Sequence, residues 1–360
     1  LILSYYNIKF LECELMRHTG LFLFFLLFAV TLTAQQKIWD KEKANEWYAG
    51  HPWPAGCNYL PSTAINQLEM WQKDTFDPKT IDKEFGWAEN LGFNVMRVYL
   101  HDIAWNEDKE GFKKRMNEVL AIAASHKIKP LFVFFDDCWN PDPKPGKQPL
   151  PKQGVHNSGW VQSPSKNIKS DSSLWGLLED YVKDILSSFK DDNRIFMWDL
   201  YNEPTNGGWG DKSIPLVKKV FEWAWSIRPS QPLTIAAWTG KFDYYYGYSD
   251  VITFHNYNNA ENMEKEIIEL KKMGKPVICS EYMARTNGSK FETNMPVLKK
   301  HNTGAINWGF VSGKSNTIFP WGSKEGSTEP KIWFHDILRE DGTPFDPKEI
   351  EIIKSLTGKK

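Results

Sequence analysis

"FMWDLYNEP", Phe196 to Pro204, decides how this chain is read. The run is too short for a helix, and it is apolar on both parities except at Asp199. That is the pattern of a parallel strand covered on both faces. It leaves the core at Asn202 and Glu203. Pro204 then ends the ladder, because proline has no N–H to donate. A buried strand therefore delivers a carboxylate to its carboxyl end. Asp199 shares the parity of Glu203, and a buried carboxylate needs a partner; Arg97 is the expected one.

Seven similar runs surround it. "PAGCNY" (54–59), "NVMRVYL" (94–100) and "KPLFVFF" (129–135) precede the strand at 195–201. "LTIAAW" (233–238), "VITFHNY" (251–257), "PVICSEY" (276–282) and "GAINWGF" (304–310) follow it. Helical patterns fall between them at 77–92, 111–126, 172–189, 214–227, 261–272 and 291–301, with only a short helix or turn after the fifth strand. The 77–92 segment shows the signals well. A proline stands near its start, Ile81, Phe85 and Ala88 recur at helical spacing, and Gly92 closes it. Eight strands alternating with helices give the count of a single (β/α)8 TIM barrel over 37–360. An open doubly wound sheet would want a glycine-rich phosphate turn after an early strand, and "CNYLPST" has none.

The chain has 360 residues and a net charge of -1, so no electrostatic pull toward nucleic acid or an anionic membrane is expected. Its 17 Trp offer flat apolar faces for sugar rings. Met16 opens a short basic head and an apolar run over 21–32, too short to span a bilayer. This reads as a signal peptide cleaved near Ala34, with 1–15 as an upstream extension, and implies a secreted or periplasmic protein. Cys57, Cys138 and Cys279 read as buried free thiols acting as small apolar residues. No Cys/His spacing suggests zinc, and no cofactor is expected.

In such a barrel, function lies at the carboxyl ends of the strands. Those ends carry Asn58, Arg97 with His101, Asp136 with Asp137, Asn202 with Glu203, Trp238, His255 with Tyr257, Glu281 with Tyr282, and Trp308. Strands four and seven lie on opposing sides of a small barrel, so Glu203 and Glu281 face each other across its mouth. Two facing carboxylates are the equipment of glycoside hydrolysis.

"WDLYNEP", "FHNY", "CSEY" and "NWGF", in that order, resemble the clan A glycoside hydrolases, most nearly the cellulase-type family five. The resemblance covers nearly the whole chain after the leader and is specific to the clan more than to the substrate. It implies Glu203 as general acid/base and Glu281 as nucleophile of a retaining mechanism. It also places Asn202, Arg97, His255, Tyr257 and Trp308 at the substrate. Many relatives carry a His near the end of strand three, where this chain has Asp136 and Asp137, expected to be one substrate contact and one loop cap. Arg97 and Tyr257 would keep Glu281 ionised, and the negative charge opposite would keep Glu203 neutral. Asn202 would bond the sugar 2-OH.

The segment 138–171 is longer than connections in this fold usually are. Trp139, His156 and Trp160 are expected to wall the cleft, and an ordered segment would close one end and favour short or chain-end substrates. Trp209 in "TNGGWG" is expected at an aglycone subsite. The implied partner is a β-linked oligo- or polysaccharide of glucan, mannan or xylan type, bound by a monomer. A glycan-binding barrel without catalysis and a transglycosidase are the alternatives.

Overall fold

The computed structural model describes residues 38–238 and 243–360. The expected leader, Met16 to Ala34, and the extension before it lie outside the described residues. Strands β1 (Ala55–Tyr59), β2 (Val95–Tyr99), β3 (Lys129–Asp136), β4 (Met197–Asn202), β5 (Leu233–Ala237), β6 (Ile252–His255), β7 (Val277–Glu281) and β8 (Gly304–Asn307) form a closed parallel barrel in sequence order. The eight-strand reading is thus met, and Ile38–Lys360 form one compact unit.

Strand parity explains the layering. Val95 and Tyr99 of β2, Leu131 and Val133 of β3, Met197 of β4, Ile278 of β7 and Ile306 of β8 pack together in one buried cluster. Met96, Val98, Phe132, Phe134, Trp198 and Leu200, of the other parity, join the larger cluster shared with the helices. Arg97 and Asp199 have the parity of the first set, and both are fully buried.

The helices start where the sequence signals say. In Pro78–Asn90, Asp77 accepts a hydrogen bond from the Thr80 amide, and Pro78 sits where no N–H is needed. Ile81, Phe85 and Ala88 form its buried stripe. Helix Trp175–Phe189 begins later than the pattern at 172 suggests, because Ser172–Leu174 form a tighter turn first.

Two irregularities in the ladder sit beside the strand-end polar residues. The β4–β5 register shifts between Asp199 and Asn202, and the β6–β7 register shifts between Phe254 and His255. Such bulges re-aim side chains next to sites.

Candidate active site

Glu203 follows directly on β4. Its amide donates to the Ala236 carbonyl of β5 at 2.9 Å, and its φ is +44°, in the left-handed region. A non-glycine residue held there stores backbone strain, which the surrounding structure must offset. The β4–β5 shift and this turn together place the carboxylate at the mouth. Glu281 ends β7 on the opposing arc. One oxygen of each carboxylate and a ring nitrogen of His255 lie within 4.8 Å of one another.

The two carboxylates have different company. Glu281 accepts from Arg97 Nη1 at 2.9 Å, Tyr99 Oη at 2.9 Å and Tyr257 Oη at 2.7 Å. Glu203 accepts from Asn206 Nδ2 at 2.5 Å and from the Cys138 thiol at 3.2 Å, and it meets His255 Nδ1 at 2.6 Å. Burial raises the pKa of both above the ordinary carboxylate range. For Glu281 the Glu203 charge adds to that rise, while the Arg97 charge and the Tyr257 hydrogen bond pull the other way. For Glu203 the hydrogen bonds from Cys138 and Asn206 do so. Burial also pushes His255 down to about 3, so its contact with Glu203 is made by a neutral imidazole. A cationic donor and two phenols favour the anion at Glu281. Glu203, whose direct hydrogen-bond partners are all neutral and which feels Arg97 only at a distance, is the better holder of a proton.

Arg97 connects the strands beneath the pair. Its guanidinium donates to Asp199 Oδ2 (2.7 Å), Asn58 Oδ1 (2.7 Å), Asn202 Oδ1 (2.7 Å) and Glu281. The expected Arg97–Asp199 partnership is present. Asn202 is thereby fixed, and its amide donates to Asp136 Oδ1 at 2.9 Å.

The cleft above has a volume of about 730 Å³. Trp139, Trp160, Trp238, Trp308 and Trp321 line it, together with Glu203, Glu281, His255 and Tyr257. Glu203, His255 and Glu281 are also the one group among the described residues whose donor atoms converge as metal ligands do. The chemistry of that group suits a proton better than a cation, because Arg97, Tyr99 and Tyr257 already direct N–H and O–H groups at Glu281. The donors, carboxylates and aromatic walls together suit a ring with many hydroxyls and a reacting centre that develops positive charge.

A family model for the TIM barrel domain of family 2 glycosyl hydrolases matches residues 152–314. Among solved structures, a family 5 subfamily 18 variant from Streptomyces cattleya, bound to Manβ1-4GlcNAc, aligns with a TM-score of 0.57 and 11% identity. The alignment covers 85% of this chain and 80% of that one. The endo-β-1,4-mannanase of Thermotoga petrophila aligns with a TM-score of 0.55 and 15% identity, over 86% and 77%. An exo-β-1,4-mannosidase from Opitutaceae bacterium strain TAV5 aligns with a TM-score of 0.58 and 14% identity, over 85% and 60%. No curated protein matches. The chain shares the (β/α)8 barrel fold of these proteins.

Within this barrel the sequence-derived site divides. Asn202, Glu203, Asp136, His255, Tyr257, Glu281, Trp139, Trp160, Trp238 and Trp308 all line the cleft. Arg97 does not. It is fully buried beneath the cleft floor and acts through Glu281 and Asn202. Asp137 also misses the cleft. It is the loop cap of the pair, bonded to Lys169, Ser213, Tyr201 Oη (2.7 Å) and the Thr205 amide (3.0 Å). Asp136, its neighbour on the other face of β3, is the one that reaches the cleft. Trp209, expected at an aglycone subsite, does not line the cleft. Its indole lies over Lys169 Nζ at 4.4 Å and donates to Gln162 at 2.9 Å. His101 caps helix Asp102–Glu107, and Tyr282 packs against Phe291, both out of the cleft.

Two further corrections concern chemistry. Cys138 is only half-buried and touches Glu203, so the reading of all three cysteines as apolar filler fails there. Burial, with the Asp137 charge, raises Glu203, whereas the effect of the charge opposite falls on Glu281, which the Glu203 carboxylate raises. Trp321 was not singled out in the sequence. It lies in a loop beyond β8 with no periodic signal, and its contacts with Tyr257 at 4.9 Å and His156 at 6.4 Å bring it to the cleft.

Proposed function

We propose that this protein is a retaining β-glycosidase, with Glu203 as acid/base and Glu281 as nucleophile. The carrying observation is the approach of the two carboxylates, with oxygens within 4.8 Å, at the floor of an aromatic-lined cleft. Retaining enzymes hold their carboxyl groups about 5–5.5 Å apart, whereas inverting ones leave about 6.5–9.5 Å for a water.

In the first step a Glu281 oxygen bonds the anomeric carbon. The bond from that carbon to the glycosidic oxygen breaks, its electron pair goes to the oxygen, and the oxygen takes the proton of Glu203. In the second step water attacks the same carbon, its proton goes to Glu203, and Glu281 leaves as carboxylate. Asn202, fixed by Arg97 and Asp136, is placed to hold the 2-OH. His255 stays neutral and steadies Glu203. Because the solved structures with this fold include mannan-active enzymes, β-1,4-mannosides head the substrate panel, followed by glucosides and xylosides. The apolar run after Met16 supports export, which N-terminal sequencing of the mature protein tests.

The direct test is trapping with a 2-deoxy-2-fluoro glycosyl fluoride of the active sugar, then peptide mass spectrometry. The adduct is expected on Glu281. Glu281→Gln and Glu203→Gln are expected to abolish turnover of unactivated glycosides while retaining the wild-type melting curve. Near-normal rates in either variant would end the assignment.

A further inference from the structure

We infer that the cleft is blind on the side away from Glu203, so that single sugars are released from non-reducing chain ends. This rests on the glycosidase reading above and names its substrate class. The direction follows from chemistry. The proton donor stands beside the leaving oxygen, so the rest of the leaving chain lies on the Glu203 side, over β4 to β6. There the cleft is lined by Asn206, Gly207, Trp238 and Asn258. The sugar under attack points its far end toward the opposite arc of the ring, β8, β1 and β2. An internal cut needs room there for the next sugar.

That arc is roofed. Among the described residues lining the cleft, none comes from β1, β2 or the loops after them. Their ends open instead on a separate cavity of about 30 Å³, and Trp160 and Trp308 line both spaces. The 138–171 segment covers the first loop through several hydrogen bonds. Asn66 Nδ2 donates to the Gly159 carbonyl at 2.8 Å, Gln67 Nε2 to Val161 at 3.1 Å, and the Gly146 amide to Gln72 at 2.6 Å.

The loop after β8 then joins this roof. The Asn157 amide donates to Ser315 at 2.9 Å, the Gly326 amide to Gln153 at 2.8 Å, and His156 Nδ1 meets the Phe319 carbonyl at 2.7 Å. The two loops touch closely enough that a Cβ on Gly154 would come within 2.7 Å of Ser327 backbone. One on Gly313 would come within 2.4 Å of the Ser62 carbonyl. An aromatic chain completes the wall. Trp139 lies 5.6 Å from His156, His156 lies 6.4 Å from Trp321, and Trp321 lies 4.9 Å from Tyr257. Tyr257 in turn donates to Glu281. The wall is therefore tied to the nucleophile's own hydrogen-bond partner. It fits the terminal ring of a β-linked chain, with no passage for a second ring beyond it.

The experiment uses the full chain and β-1,4-mannohexaose tagged at its reducing end, with the gluco and xylo hexasaccharides in parallel. A second set carries a 4-O-methyl cap at the non-reducing end. The tagged species is expected to shorten one unit at a time, with monosaccharide as the early free product. The capped chain should be cut at least about 100-fold more slowly. Tagged fragments of mixed short length at the earliest times, or equal rates on capped and uncapped chains, would overturn the blind end and leave the glycosidase reading standing. A folded preparation inactive on these chains and on aryl β-glycosides would overturn both.

Discussion

Replacing Arg97 with methionine keeps much of the side chain's bulk and removes its charge. Asp199 would then lose two donors, Nε at 3.2 Å and Nη2 at 2.7 Å, while keeping the amides of Tyr201 and Ala236. Glu281 would lose one donor and keep Tyr99 and Tyr257. Breaking a buried ion pair from one side typically costs about 3–5 kcal/mol, because the other charge is left uncompensated. The remaining donors put the expected loss near the low end, about 3 kcal/mol. Urea unfolding at pH 7, followed by tryptophan fluorescence, reads it directly. The sign of its pH dependence is fixed. Without Arg97 the folded-state pKa values of Asp199 and Glu281 rise further above their unfolded values. Groups so shifted add stability at low pH and lose it as pH rises, so the deficit relative to wild type should shrink on acidification. Arg97→Met/Asp199→Asn removes the stranded charge and should recover part of the loss. A single-variant loss below about 1 kcal/mol, or a double variant no more stable than the single, would refute the claim that one buried cation holds both carboxylates in place.

Cys138→Ala removes a hydrogen bond that lowers the Glu203 pKa, so the alkaline limb of the kcat/KM profile should move to higher pH; an unmoved limb would show that the thiol contact is idle. Trp238, 40% exposed at the open side, should act in binding alone. Its change to Ala is expected to raise KM for oligosaccharides about five-fold with kcat unchanged, from loss of about 1 kcal/mol of stacking, as initial-rate kinetics would show. Asp336 is buried and pushed up to about 6 from the ordinary 3.8. Its stabilising contribution is therefore present below pH 4 and is lost as pH rises through 6. Asp336→Asn escapes that loss, so its stability relative to wild type should improve by about 2 kcal/mol between pH 4 and 7 in urea titrations.

The barrel was legible because its strands are short, apolar on both parities and separated by helical periodicity. Glu203 and Glu281 were legible because each stands at the carboxyl end of such a run. Position along a strand predicts that a residue reaches the mouth, but not whether it faces the cleft or lies beneath it. Both Arg97 and Asp137 are expected at strand ends, but Arg97 lies in the middle of β2, covered by the residues it organises, and Asp137, just past β3, anchors the return of the 138–171 segment. Trp209 follows Glu203 by a few residues, but the loop turns it back onto Lys169. Cys138 illustrates the reverse case. Its composition suggested filler, and only the turn after β3 brings its sulfur to Glu203. Contacts between segments far apart in sequence, such as Gln153 with Gly326, leave no periodic trace in either segment.

A dead-ended pocket fixes the order in which products depart. Under the inferred chain-end cleavage, the detached sugar would lie at the bottom, behind the chain it was cut from, with the hydrogen-bonded roof closing its rear. The shortened chain must withdraw before the monomer can escape, so each cut ends one encounter. Degradation should then proceed by many brief visits shared among all chains, with the whole population shortening in step.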